Sequence, residues 1–218
     1  IGVGTGENLK DCETWARKAL DMSLGRGGDQ VAVYDDNGYT YFGGVSNRTN
    51  DNSRVSPRQT AANISTLIKK YDKALIVGHK FSDYHAIGSA MGLQFFCESN
   101  GVPAYVVCDE ATTLAKSLVE LARNEGFEEF TDVNKSIEIC DDKTILFVVD
   151  AQRKSLLECP ELYDKAGGKI IVDHHRKADD YIDDSDLFYH SPSASSSCEM
   201  VAELIEYSTL QEKVPSII

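Results

Sequence analysis

The chain reads as an α/β protein built on a mainly parallel sheet with helices on both faces. Three observations carry this reading. The short apolar runs Ala74-Leu75-Ile76-Val77-Gly78, Thr144-Ile145-Leu146-Phe147-Val148-Val149 and Lys169-Ile170-Ile171-Val172 have the length and β-branched character of buried strands. Helical patterns alternate with them, as βαβ crossovers require. Each run also stops at residues that handle charge: His79-Lys80-Phe81-Ser82-Asp83-Tyr84-His85, Asp150, and Asp173-His174-His175-Arg176. Open α/β sheets build their sites at such strand ends.

The elements follow in order. Ile1 to Val3 is a strand that needs partners from earlier sequence, so the chain is expected to be a piece of a longer protein. Asn8 to Leu24 is an amphipathic helix with Leu9, Cys12, Trp15, Ala16, Ala19 and Leu20 on one face, closed by Gly25. The loop Gly25-Arg26-Gly27-Gly28-Asp29 runs from helix to strand, the reverse of a phosphate-cradling loop. Gln30 to Tyr34 and Tyr39 to Phe42 flank Asp35-Asp36-Asn37-Gly38, a hairpin signal of the Asn-Gly kind. The polar stretch 46–55 reads as a linker, which places a first domain at 1–45 and a second at 56–218.

The second domain opens with Ser56 as N-cap and Pro57 at the first helical position, and its helix runs to about Tyr71 with Ala61, Ile64, Leu67 and Ile68 inward. After the strand at Ala74 comes a helix from about Ala86 to Glu98. Its small residues Gly88, Ser89 and Gly92 suit close packing against the sheet. A strand from Pro103 to Cys108, a helix from about Leu114 to Asn124, and the strands at Thr144 and Lys169 follow. The last helix, Ser196 to Tyr207, starts with a capping box, Ser196 and Glu199. Its N-terminus with Ser195, Ser196 and Ser197 is a candidate anion site.

Composition sets limits. With a net charge of -13, the chain is unsuited to coating a nucleic-acid duplex, which calls for a basic stripe. Its six cysteines (Cys12, Cys97, Cys108, Cys140, Cys159, Cys198) show no C-x-x-C spacing and read as reduced thiols. No apolar run approaches the roughly 20 residues of a membrane span, and no signal peptide is evident, so the chain itself is expected to be soluble.

Three neighbouring parallel strands would bring His79, Asp83, His85, Asp150 and His174 to one crevice, a ligand set for a pair of divalent cations. Taken singly, an Asp at a strand end more often makes a turn or caps the next helix, and a His is more often a satisfied polar residue. Coincidence at three strand ends, with two adjacent histidines that each need partners, favours the metal reading.

These residues resemble a known family. His79-x-x-x-Asp83, Asp150 and Asp173-His174-His175 are similar to the first three motifs of the DHH phosphoesterases. The wording Gly78-His79-Lys80-Phe81-Ser82-Asp83, Val149-Asp150-Ala151-Gln152-Arg153 and Ser191-Pro192-Ser193-Ala194-Ser195-Ser196-Ser197 resembles the cyclic-di-AMP phosphodiesterases that carry a degenerate GGDEF domain ahead of the DHH domain. Upstream, Ile1 to Gly4, Ala19 to Met22 and Leu24 to Val33 look like the last strand, last helix and final hairpin of that α+β GGDEF domain.

The resemblance implies an Mn²⁺-dependent hydrolase that opens a cyclic dinucleotide to its linear form. One ion would take His79, Asp83 and Asp150; the other would share Asp150 and add His174 with an aspartate beyond Ile218. The family's first motif ends in a second Asp where this chain has His85, a neutral ligand that shifts preference towards softer ions. Asp173 would orient a ligand histidine, and His175 would reach a phosphate oxygen or only a neighbouring carboxylate. Arg176 would clamp phosphate, while Gln152 and Arg153 would open the following helix. The resemblance also implies a cytoplasmic portion of a membrane-anchored parent, with a second copy of the chain as a partner. The alternatives are a catalytically weak sensor or scaffold that binds metal or nucleotide, or a hydrolase of short linear oligonucleotides.

Overall fold

A computed structural model describes residues 1–25, 30–35, 38–43, 57–208 and 214–218. The loop at 26–29, the turn centre Asp36-Asn37, the linker and the Ser56 cap lie outside the described residues. The chain divides into two compact units, Ile1–Arg54 and Val55–Ile218.

In the first unit, β1 (Gly2–Gly4), α1 (Leu9–Gly25), β2 (Gln30–Asp35) and β3 (Gly38–Gly43) form a three-stranded sheet in the order β1-β2-β3 with a helix against it. β1 runs parallel to β2, and β2 and β3 form the expected antiparallel hairpin. The glycines of β1 are there for closeness: a Cβ at Gly2 would sit 2.2 Å from the Ala16 carbonyl oxygen, and one at Gly4 2.3 Å from the Ala16 nitrogen. Trp15 of α1 stacks on Tyr34 of β2 at 4.0 Å.

The second unit contains α2 (Pro57–Ile68), β4 (Lys73–Val77), α3 (Tyr84–Ser99), β5 (Ala104–Val107), α4 (Lys116–Asn124), β6 (Phe130–Thr131), α5 (Val133–Ile139), β7 (Thr144–Val149), α6 (Pro160–Lys165), β8 (Gly168–Asp173), β9 (Leu187–His190) and α7 (Ser197–Tyr207). Its sheet has six strands in the order β6-β5-β4-β7-β8-β9, and every pairing is parallel. The chain first builds outward from β4 through β5 to β6, then returns to lay β7 on the other side of β4. Strand order therefore reverses between β4 and β7, and a crevice opens at their C-terminal ends.

Burial along the strands explains their unbroken apolar sequence. Ile145, Phe147 and Val149 of β7 join one core with Ile64 and Ile68 of α2, Ile87, Met91 and Phe96 of α3, and Met200 and Leu204 of α7. Leu146 and Val148 face the opposite way, into a second core with Leu157 and with Leu162 and Tyr163 of α6. Side chains alternate across a strand, so a sheet covered on both faces needs apolar residues at successive positions. The short elements β6, α5, α6 and β9 do not stand out in the sequence pattern and form against this framework. No helix among the described residues is long and apolar enough to cross a membrane. All six cysteines are free, and Cys97, Cys108, Cys140 and Cys159 are buried.

One packing expectation is corrected. The small face of α3 meets α7 rather than the sheet: a Cβ on Gly92 would lie 2.7 Å from Val201 Cγ1, and one on Gly88 3.2 Å from Cys198 Sγ. This close approach matters because α7 begins at the site. Replacing Gly92 with Leu gains about 0.8 kcal/mol of helix propensity but overfills the contact by about 1–3 kcal/mol, so Gly92→Leu should lower the urea midpoint. An unchanged or raised midpoint would show that α7 can move away freely.

Candidate metal centre

Backbone geometry first sets the site apart. Among the described residues only two non-glycine residues have positive φ, Phe81 (58°) and Asp150 (54°), and they follow β4 and β7, the two strands that flank the reversal point. Such conformations cost free energy and persist where surrounding bonds over-determine them. At Asp150 the backbone NH donates to Val172 O at 3.0 Å, extending the β7–β8 ladder by one bond. The Ser197 hydroxyl, at the start of α7, donates to Asp150 Oδ1 at 2.7 Å. Asp150 is 5 % exposed, so its carboxylate has little water to satisfy it and depends on such partners.

The loop after β4 is laced to the segment 156–158. Lys80 NH donates to Leu156 O, and Glu158 NH donates to Gly78 O. Ser82, only 1 % exposed, lies at the centre of this lacing. Its hydroxyl is 2.8 Å from His79 O and 2.9 Å from Glu158 Oε2, and its carbonyl accepts from Thr113 Oγ1 and Leu114 NH. Glu158 Oε1 accepts from Asp109 NH at 2.6 Å. Burial raises the Glu158 carboxyl above its ordinary value, against the bonds from Asp109 and Ser82, which lower it.

Ring orientation leaves the histidines ready to ligate. Lys80 O lies 2.8 Å from His79 Nδ1 and can only accept, so Nδ1 of the neutral ring carries the proton. Nε2 then keeps its lone pair, 3.9 Å from both Asp83 Oδ1 and Asp150 Oδ2. His174 repeats the arrangement, with Nδ1 3.3 Å from Ala194 O and Nε2 3.5 Å from Asp150 Oδ1. Asp83 does cap α3, as isolated aspartates often do, by accepting from His85 NH and Ala86 NH through Oδ1. It still offers a ligand atom to the cluster.

Two groups could hold a cation, His79-Asp83-Asp150 and Asp150-His174-His175, each with its ligand atoms within 4.8 Å of one another. Asp150 belongs to both. Carboxylates and imidazoles with free lone pairs suit a borderline divalent ion. These residues, with His85, Gln152, Arg153 and Arg176, line one cavity of about 380 Å³.

The remaining site candidates fall as follows. His85 lines the cavity, is exposed and lies outside both groups. Arg176 also lines the cavity, while Arg153 pairs with Asp180 at 2.7 Å. Asp173 holds His175 rather than His174, with 2.8 Å between Oδ1 and Nδ1. Burial disfavours the charged His175 ring, but Asp173, Asp150 and Asp83 outweigh it and raise its pKa.

The three serines each have partners within the fold. Ser195 donates to Glu199 Oε2 from both NH and hydroxyl, Ser196 caps α7 by accepting from Glu199 NH, and Ser197 holds Asp150. Gln152 opens no helix: it is buried and bonded to the loop after β8, while a 3₁₀ turn at Lys154–Leu156 follows.

The second unit is thus a parallel sheet whose strand order reverses beside a carboxylate shared by two potential cation-ligand groups. Residues 73–218 match the DHH family, N-terminal domain, and the chain belongs to that family. It is 35% identical over 220 residues to the cyclic-di-AMP phosphodiesterase GdpP of Geobacillus thermodenitrificans, covering 98% of this chain and 33% of that protein. To the cyclic-di-AMP phosphodiesterase PdeA of Listeria monocytogenes it is 34% identical over 226 residues, covering 100% of this chain and 34% of that protein. The chain thus spans about a third of the length of these relatives. In fold it is similar to an exopolyphosphatase-related protein from Bacteroides fragilis, with a TM-score of 0.55 and 20% identity, over 66% of this chain and 42% of that one.

Because the Glu158 pKa is raised in the fold, its stabilising contribution is full below the unfolded value of about 4.5 and is lost as pH climbs through the folded value. Glu158→Gln stays neutral, can accept from Asp109 NH through Oε1 and can donate to Ser82 through Nε2. The variant should therefore melt above the wild type at neutral pH, with the difference vanishing towards about pH 4. A variant that melts lower at neutral pH would show that the ionised carboxylate is needed.

Proposed function

We propose that this chain carries the metal centre of a phosphodiesterase that opens cyclic-di-AMP to the linear dinucleotide with Mn²⁺. The observation that carries the reading is the Asp150 carboxylate common to both potential ligand groups. The names of the relatives, cyclic-di-AMP phosphodiesterases, supply the substrate. In this reading His79, Asp83 and Asp150 hold one cation, and Asp150 with His174 holds a second. Two cations held there would supply an activated water and charge stabilisation for displacement at phosphorus. In its protonated form His175 donates Nδ1–H to Asp173 and Nε2–H to a phosphate oxygen, and Arg176 brings a guanidinium fork to the same group. Cations are also what let so acidic a chain attract an anionic substrate, because an ion inverts the local field.

The first unit is read as the C-terminal part of a degenerate GGDEF domain, on the resemblance of its sequence. The parent is read as membrane-anchored and dimeric, with this portion in the cytoplasm. One observation favours a second reading, a weakly catalytic metal- or nucleotide-binding module. His85 stands where the family's second first-motif aspartate is expected and lies outside both ligand groups. Its neutral ring would leave the second cation with less negative charge.

Calorimetric titration with Mn²⁺ should show one ion held more tightly than the other. Asp150→Ala should abolish tight binding, and Ser197→Ala, which releases Asp150, should weaken it by about 10–100-fold. His175→Ala should leave metal affinity largely intact and weaken phosphate binding. His85→Asp should tighten the weaker site. Formation of linear dinucleotide from cyclic-di-AMP is the direct assay. Mn²⁺ affinity unaffected by Asp150→Ala would overturn the metal assignment, and metal binding without any turnover would favour the second reading.

A further inference from the structure

We infer that Gln152 is a positioning residue that sets the Asp173–Arg176 segment against Asp150, and that it does so through both halves of its amide. The side chain is 5 % exposed and stands two residues beyond Asp150. Its Nε2 lies 2.9 Å from Asp173 Oδ2, 3.3 Å from His175 O and 2.9 Å from Arg176 O. Its Oε1 accepts from Ala178 NH at 3.0 Å. The Gln152 backbone carbonyl takes Ile182 NH at 2.8 Å, so the whole residue is tied to the chain that follows β8.

Residue chemistry narrows what can do this. The position needs a donor for Asp173 and the two carbonyls, and an acceptor for Ala178, on one planar group. A primary amide offers two N–H donors beside a carbonyl acceptor without charge, which a neutral imidazole or a hydroxyl, with one donor hydrogen each, does not, and asparagine is one methylene shorter. Asp173 is 0 % exposed, so its carboxylate must be satisfied within the fold. Gln152 takes Oδ2, and Oδ1 is left for His175 Nδ1. That chain of bonds keeps a proton of His175 on Nδ1 and fixes the ring with its Nε2 end left for the site. His175 O is held a second time, by His190 Nε2 at 2.6 Å.

The two halves of the site are therefore set by separate devices. Ser82 and Glu158 hold the His79–Asp83 loop, whereas Gln152 holds the loop that carries His174 and His175. Loss of the Gln152 amide should disturb the second half and spare the first, which a general loss of stability would not do.

The test uses the full chain with Gln152→Met, which removes every side-chain bond, and Gln152→Glu, which keeps the acceptor and removes the donors. Nitrogen-15 spectra of the imidazoles, taken without metal at alkaline pH where the rings are neutral, read each tautomer directly. The wild type should show His175 as a single Nδ1-protonated form. Both variants should show His175 as a tautomer mixture while His79 keeps its wild-type signature, and Mn²⁺ titration should show affinity at the cation shared by Asp150 and His174, whose loop Gln152 holds, falling about 10–100-fold. Unchanged His175 signals, or equal changes at His79 and His175, would overturn the inference. Failure of both variants to fold would also overturn it, by making Gln152 a general structural residue. The inference rests on the metal-centre reading, yet the two fail separately: a wild type that binds no Mn²⁺ sinks that reading, and unaltered His175 spectra in a metal-binding chain sink this one.

Discussion

The Asp150 carboxylate is the point on which the second unit converges. Four parts of the fold reach it: β7 delivers it, β8 bonds its backbone NH, α7 supplies the Ser197 hydroxyl, and the loop after β4 brings His79 to 3.9 Å. Its left-handed backbone turns the chain sharply at the end of β7. An extended residue there would continue the strand and carry its side chain away from the crevice. Strain at this residue is offset by the bonds that its NH makes to β8 and its carboxylate to α7.

The close contact of α3 with α7 belongs to the same arrangement. Asp83 begins α3 and Ser197 begins α7, so the glycine-lined meeting of these two helices sets how near the cap of one comes to the hydroxyl of the other. Local sequence choices at Gly88 and Gly92 thereby bear on the geometry of the potential cation groups. Gln152 does the equivalent work on the β8 side with hydrogen bonds in place of van der Waals contact.

The sheet was legible in sequence because its signals are local, and so was the gathering of His79, Asp83, Asp150 and His174, whereas the potential ligand groups include His175 and leave out His85. β4, β7 and β8 are unbroken apolar runs, and His79, Asp83, Asp150 and His174 follow them directly. Elements β6, α5, α6 and β9, at two to seven residues, carry too little periodicity to be seen and owe their form to the framework they pack on. The supporting residues were illegible for a different reason. Ser197 looks like part of a serine-rich helix start, Gln152 like a helix opener, and Glu158 like any surface glutamate. Their roles depend on partners 47, 21 and 76 residues away, which no local pattern encodes.

Those same separations govern how the site comes into being. Bonds such as Ser82 to Glu158 and Ser197 to Asp150 close long loops, and in a parallel sheet their entropy must be met before any reward arrives. A half-folded chain would hold strands and helices but no ligand cluster, so it would have almost no affinity for the ion. Cation binding at the proposed site would then discriminate between the finished fold and every earlier species, and would add RT ln(1 + [M]/Kd) to the stability of the finished one alone. On the proposed reading, a metal centre here would be a late checkpoint on assembly: a chain that held an ion would already have brought β4, β7, β8 and α7 into place.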